Sequence, residues 1–316
     1  MATNKILVKI LDDLSPSQIK LRNVSRPPEG LYNMFINEKG QVEKRKGYAK
    51  YNTDSIGTGH AITGLHRFYN ESTDTAEFLC SWNTKLYKLS AASGHAATAL
   101  TSKTDTDYTH TADAETYFAN FYDTCYIVNG VNAVAKYGGT HVRSVGITAP
   151  TAPTFSANID GSLSEGTYYF KVTYVDEDGY ESNGGTASAA MTALADPNDG
   201  ITITIPTSSD DKVTKRRIYR TAVNGAIYYY DGEVDDNTTA TYDSTKADSV
   251  LGSRLHDDHD APPSGAQLIV KRGNRLFLGS DDDLVISYLS DVEYFPPAWF
   301  IKTGNRQAIT GLIEQL

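Results

Sequence analysis

Ala61-Ile62-Thr63-Gly64-Leu65 recurs unchanged as Ala308-Ile309-Thr310-Gly311-Leu312, near the far end of a chain of 316 residues. The first copy opens a run of short apolar segments, Ala61–Tyr69, Ala76–Trp82 and Lys85–Leu89. Asn83-Thr84 leaves the two-residue gap of a tight hairpin between the second and third. Tyr117–Phe121, Thr124–Asn129 and Ala133–Tyr137 follow, the last two bracketing Asn129-Gly130-Val131-Asn132. The same texture returns at Gln267–Lys271, Arg275–Leu278 and Leu284–Leu289, with Asn274 in the first turn. Short strands punctuated by Gly, Asn and Asp read as consecutive antiparallel hairpins. With a central module of different texture set aside, the span between the two copies holds about three units of ~45 residues, the length of a propeller blade.

The central module is bracketed by proline. Thr148-Ala149-Pro150-Thr151-Ala152-Pro153 precedes it and Ala261-Pro262-Pro263-Ser264-Gly265 follows it. Such stretches cannot continue a sheet. Between them the alternation is clean. Tyr168, Phe170, Val172 and Tyr174 share one strand face, and Ile201, Ile203 and Ile205 share another before Pro206. Val213–Thr221, Ala226–Tyr230 and Thr238–Tyr242 complete the set, with Asn224-Gly225 as a turn. This spacing fits a β-sandwich of immunoglobulin or fibronectin-III type, and the absence of a Cys…Trp…Cys core excludes an antibody-type domain.

The expected fold is therefore all-β: partial β-propeller blades interrupted by an immunoglobulin/fibronectin-III-like β-sandwich. Residues 1–147 form an N-terminal strand and the first blades, 148–262 the inserted sandwich, and 263–316 the return to the propeller, incomplete at the C-terminus. Lys5–Ile10 reads as a strand able to complete a last blade.

Composition agrees. There are 21 Tyr against 3 Met and 2 Cys, and tyrosine suits a pleated, half-buried surface. No long stretch repeats at the helical period, which excludes a helical bundle. Cys80 and Cys125 lie in apolar runs and read as buried hydrophobes rather than a disulfide framework. No segment has the apolar length of a membrane-spanning helix, and Met1–Ile10 is too short and too soon acidic for a secretory leader. The net charge of −10 argues against sequence-reading of nucleic acid, which needs a basic face. It does not argue against a passage that DNA slides through without sticking, since a negative wall repels phosphates.

Candidate chemistry is sparse. His256-Asp257-Asp258-His259-Asp260 has the residue types for a divalent metal but sits in a proline hinge without a rigid frame. Asp176-Glu177-Asp178-Gly179 and Asp281-Asp282-Asp283 lack the twelve-residue calcium loop and read as turns. Gly57-Thr58-Gly59 lacks the third glycine of a dinucleotide fingerprint. No cofactor is expected. Two basic clusters stand out, Lys44-Arg45-Lys46 and Lys215-Arg216-Arg217 with Arg220. In the second, charge on both faces predicts an edge strand. Tyr228-Tyr229-Tyr230 and Tyr294-Phe295-Pro296-Pro297-Ala298-Trp299-Phe300 read as core or interface anchors, and otherwise as the wall of a glycan groove.

Three stretches carry a resemblance. They are Leu31–Gly40 leading to Glu43-Lys44-Arg45-Lys46-Gly47-Tyr48; Arg275–Gly279 with Val285–Tyr288 and Asp291–Pro296; and the module containing Gly166–Tyr174 and Arg217–Thr221. In outline the chain resembles tail nozzle, tail-tube or DNA-stabilisation proteins of tailed double-stranded DNA bacteriophages. The resemblance implies a non-enzymatic virion protein, made in the host cytoplasm and built into the tail or neck. Its implied partners are copies of itself in a ring, other tail or neck proteins, and passing double-stranded DNA, with no membrane. On that reading Lys44, Arg45, Lys46, Arg216, Arg217 and Trp299 are the expected interface or packing residues. The alternative is a glycan-binding or glycan-cleaving propeller, which would bring aromatics and carboxylates together on one face.

Overall fold

The computed structural model describes residues 34–36, 42–44, 52, 55–90, 95–104, 106, 108–304 and 306–313. The chain divides into two compact units, Met1–Tyr51 and Asn52–Leu316. In the first, β1 (Met34–Ile36) and β2 (Val42–Lys44) pair antiparallel, with Met34 opposite Lys44. The expected strand Lys5–Ile10 lies outside the described residues.

The second unit opens with two four-stranded antiparallel meanders. The first is β3 (Ile62–Asn70), β4 (Thr75–Trp82), β5 (Lys85–Ser90) and β6 (Ala97–Ala99). The second is β7 (Tyr117–Phe121), β8 (Thr124–Val128), β9 (Ala135–Tyr137) and β10 (Val142–Ser144). The hairpin at Asn83-Thr84 forms as expected, with Trp82 opposite Lys85 and Asn83 at φ 53°. Asn tolerates that left-handed conformation better than most residues.

A sandwich follows. Its strands are β11 (Thr154–Ile159), β12 (Gly166–Tyr168), β13 (Phe170–Asp176), β14 (Met191–Ala193), β15 (Gly200–Thr204), β16 (Val213–Thr221), β17 (Tyr228–Val234) and β18 (Thr241–Ser244). They form sheets in the order β11-β15-β18 and β13-β16-β17, with β12-β14 as a separate pair. Period-two alternation sends Phe170, Val172, Ile201, Ile203 and Ile218 into one core between the sheets, joined by Tyr168, Met191 and Ala193. A third meander closes the described chain: β19 (Leu268–Arg272), β20 (Arg275–Ser280), β21 (Asp283–Ile286) and β22 (Phe300–Lys302). The fold is all-β, made of small antiparallel sheets, none of them closed into a barrel among the described residues.

The three meanders stack as blades do. The opening strand β7 lies against the opening strands β3 and β19 of the sheets on either side. One core joins Phe68, Leu79 and Leu86 of the first blade to Cys125, Ile127 and Tyr137 of the second. Another joins Tyr126 and Val128 of the second to Ile269, Leu276 and Leu278 of the third. The middle blade is thus covered on both faces. This explains why Thr124-Cys125-Tyr126-Ile127-Val128 is a continuous apolar run rather than an alternating one. Cys80 and Cys125 are free and buried, and burial pushes the Cys80 thiol up to about 11.

Two expectations need correction. First, Val213–Thr221 is not an edge strand: β16 is the centre of its sheet. Its charges are neutralised inside the module. Arg216 is 0% exposed and donates to Asp236 Oδ1 at 3.1 Å and to the carbonyls of Pro206 and Thr239 at 3.2 and 2.6 Å. Arg220, equally buried, meets Asp248 at 2.5 Å and Asp231 at 3.6 Å. Second, Ala308–Leu312 is described but is not a strand. It lies beside β20, where the Ile309 N–H donates to the Asp281 carbonyl at 2.7 Å.

Candidate functional site

The densest chemistry lies where the second blade, the sandwich and the third blade converge. Lys136, on β9, is 1% exposed. Its ammonium donates to Glu293 Oε1 and Oε2 at 2.7 and 2.9 Å and to Asp176 Oδ2 at 3.2 Å, and lies 2.8 Å from Asp178 Oδ2. Asp176 ends β13, Asp178 sits in the turn after it, and Glu293 lies between β21 and β22. The Tyr126 hydroxyl donates to Glu293 Oε1 at 3.0 Å, and the Tyr180 ring lies 5.0 Å from the ammonium. Arg143 on β10 closes the rim, paired with Glu177 and, at 3.2 Å, with Asp178.

The local sequence explains how the sandwich reaches this point. Asp176 Oδ1 accepts the backbone N–H groups of Asp178 and Tyr180 at 3.0 and 2.9 Å. This is the Asx-type turn that Asp favours, and Gly179 supplies φ +89°. The turn leaves Asp176 Oδ2 and the Asp178 carboxylate free to face Lys136. Burial alone would pull the Lys136 ammonium down, but the Glu293 and Asp176 carboxylates outweigh it and hold its pKa above the ordinary lysine value. Burial raises the Glu293 pKa against the opposing pull of Lys136. Asp178 is lowered: burial opposes ionisation, and Lys136 with Arg143 overcomes it.

Further contacts pin the same modules together. Lys212, just before β16, donates to the Ser144 carbonyl and hydroxyl at 2.9 and 3.0 Å and to the Gly146 carbonyl at 2.5 Å. The Glu181 N–H donates to the Tyr294 hydroxyl at 2.7 Å, and the Tyr294 ring stacks on His259 at 3.9 Å. Several directional bonds to buried charges define one orientation of the sandwich on the blades. Breaking one of them strands a buried charge.

A Ser–His pair ties the first blade to the segment that leads into the second. Ser81 Oγ lies 3.2 Å from His110 Nε2, and His110 Nδ1 is 2.9 Å from the Thr111 carbonyl. That carbonyl fixes the proton on Nδ1, so Nε2 accepts from the serine. Thr63 and Thr116 also donate to Ser81 Oγ, both at 3.0 Å. The adjoining cavity of about 10 Å³, lined by Leu86, His110, Thr116 and Asn129 among others, has room for about one water. The pair is a buried bridge, and the space beside it is no larger than a water.

The expected site residues fall out as follows. Lys44 is in β2, while Arg45 and Lys46 lie outside the described residues. Arg216 presents no surface to a partner. Arg217 is partly exposed and paired with Glu181 at 2.7 Å and Glu233 at 3.4 Å. Trp299, 36% exposed, has the Arg275 guanidinium over its ring at 4.8 Å and Tyr288 at 4.9 Å. A sugar stacks on an open aromatic face, and this indole is flanked. The edge of β17 that carries Tyr228–Tyr230 is bonded to the following segment, Tyr230 to Ser253 at 2.8 Å and Leu255 to Tyr228 at 2.9 Å.

The donor atoms of His256–Asp260 do not gather into a group close enough to share one ion. The Tyr288 hydroxyl donates to Asp258, and the His259 ring stacks on Tyr294. Among the described residues, the group of metal-ligating side chains that does come together is Asp160, Asp196 and Asp199, with donor atoms within 4.8 Å. Asp199 Oδ1 already accepts the Gly161 N–H at 2.9 Å. No sequence pattern pointed to the Lys136 cluster, because Ala135-Lys136-Tyr137 looks like any strand with one solvated lysine. Comparison with models of protein families and with curated proteins returns no match for this chain.

Proposed function

We propose that this chain is a non-enzymatic structural protein of a tailed bacteriophage, forming part of a tail or neck ring or nozzle around the DNA path. The observation that supports this reading best is the Lys136 junction. It ties the second and third meanders to the inserted sandwich through buried ion pairs. Ladder hydrogen bonds resist extension along each blade, and buried ion pairs resist rotation of the sandwich against them. The buried side chains at the junction are consumed by structural contacts, and the Ser81–His110 pair has no space for a substrate. A net charge of −10 disfavours retention of phosphate backbone on a lumen wall. The partners on this reading are further copies of the chain, neighbouring tail or neck proteins and double-stranded DNA in transit, and the location is the virion tail.

The test is immunogold labelling of purified particles with an antibody against the sandwich, followed by cryo-electron microscopy. Labelling at the tail or neck and a ring of all-β density is the expected result. Particles free of the protein would refute the reading.

A further inference from the structure

Three charged side chains of the junction are almost wholly out of water: Lys136, Asp176 and Glu293 expose 1%, 1% and 3% of their area. The Lys136 Nζ lies 3.2 Å from Asp176 Oδ2 and 2.7 Å from Glu293 Oε1. A primary amine against one carboxyl group, with a second carboxylate touching the same nitrogen, is the set of groups that amide formation needs. The two oxygens of Asp176 have different surroundings. Oδ1 accepts the backbone N–H groups of Asp178 and Tyr180 at 3.0 and 2.9 Å, while Oδ2 faces the amine. Two fixed N–H donors on one oxygen stabilise the negative charge that develops there when the carboxyl carbon is attacked. The other oxygen is then the one that leaves.

The surroundings assign a different part to each carboxylate. Asp178 also touches the amine, at 2.8 Å, but it is partly exposed and shared with Arg143 at 3.2 Å. Burial opposes its ionisation, and Lys136 with Arg143 overcomes this and lowers its pKa. It therefore stays a carboxylate, which an amine does not attack. Glu293 grips the amine through both oxygens, at 2.7 and 2.9 Å, and the Tyr126 hydroxyl steadies it at 3.0 Å. Burial raises its pKa against the pull of Lys136, which suits a group that must take a proton and hand it on.

We propose that Lys136 and Asp176 condense into an isopeptide bond that joins the second blade to the sandwich, with Glu293 carrying the protons. The ammonium gives one proton to Glu293, which passes it to Asp176 Oδ2. The Nζ lone pair attacks Asp176 Cγ, and the charge on Oδ1 rests on the Asp178 and Tyr180 N–H groups. A second Nζ proton follows the same route, the Cγ–Oδ2 bond breaks, and Oδ2 leaves as water. One ammonium and one carboxylate become one amide and one water, with no oxidant or cofactor. Glu293 is returned and, its counter-charge gone, takes a proton from solvent. Free amines and carboxylates do not condense in water, but groups held in reacting geometry behave as if at about 10⁵ M or more. The bond also removes the cost of keeping two ions buried. Burial pulls the Lys136 pKa down, but Glu293 and Asp176 outweigh it and raise it, so neutral amine is scarce and the step is slow. The ion pair is thus the state of the freshly folded chain and the amide its matured form. The proposal concerns the junction alone and stands apart from the virion reading.

The test is intact-mass spectrometry of the denatured 316-residue chain, sampled from purification through prolonged incubation of the folded protein. The wild type is expected to lose the mass of one water. Trypsin is then expected to stop cutting after Lys136, and tandem spectra to show a branched peptide joining residues 136 and 176. Lys136→Arg, which keeps the charge and cannot form the bond, is expected to hold its full mass. Glu293→Gln is expected to slow the loss about a hundredfold or more; if it does not fold, the wild type and Lys136→Arg decide the matter. A wild type that keeps its full mass throughout overturns the proposal. So does a water loss that persists in Lys136→Arg, which marks a succinimide at an Asp-Gly pair such as Asp178-Gly179, and so does a branch that maps to Asp178 or Glu293. Particles free of the protein would remove the virion reading and leave this result untouched.

Discussion

Replacing Lys136 with methionine keeps the length of the side chain and removes its charge. The loss is concentrated on two groups. Glu293 loses bonds of 2.7 and 2.9 Å and keeps Tyr126 at 3.0 Å. Asp176 loses its 3.2 Å contact and keeps the two turn N–H groups. Asp178 suffers least, because Arg143 remains 3.2 Å away. Removing one partner of a buried ion pair costs about 3–5 kcal/mol. At about 2–4 °C per kcal/mol for large domains, melting falls by about 10 °C. The assay is scanning calorimetry with urea unfolding on a double-mutant cycle of Lys136→Met and Glu293→Gln. Since an amide needs no counter-charge, the double variant is expected to recover a large part of the loss. A single variant within about 1 kcal/mol of wild type, or a double variant no better than the single, would show that the junction is not held by this pair.

Three further outcomes are expected. Gly64→Ala places a Cβ 2.5 Å from the Thr116 carbonyl, whereas Gly311→Ala in the second pentapeptide meets nothing within 4 Å; chemical denaturation should show the first losing about 1–3 kcal/mol and the second unchanged. Arg216→Ala removes a buried guanidinium from Asp236 and two carbonyls and should lower the melting temperature by several degrees, while Lys215→Ala on the same strand, paired at the surface with Asp235 at 2.6 Å, should leave it unchanged. The folded-state pKa of Asp178 is lowered, so its stabilisation is present above the unfolded carboxylate value and is lost as pH falls through the folded one; urea midpoints below about pH 4 should drop less steeply for Asp178→Asn than for wild type.

Much of the architecture was legible as local pattern. Asn83-Thr84 set a hairpin because two residues between alternating strands leave few closing geometries. Ile201 and Ile203 marked a core face because successive side chains point to opposite sides of a strand. The apolar run around Cys125 marked a buried strand, and only the structure shows it covered on both faces. The basic run at 215–217 misled for a physical reason. Charge on a strand reads as solvated unless its counter-charges are known, and Asp236, Asp248 and Asp231 are brought to Arg216 and Arg220 only by the fold.

The sequence alone therefore determined the class of structure: short antiparallel strands, two textures and a proline-bracketed middle, all consequences of side-chain alternation and turn chemistry acting over a few residues. Only the tertiary structure decided where charge is buried. Lys136 meets a carboxylate 40 residues away and another 157 residues away, and no local pattern encodes a pairing whose partners are brought together by the stacking of separate sheets.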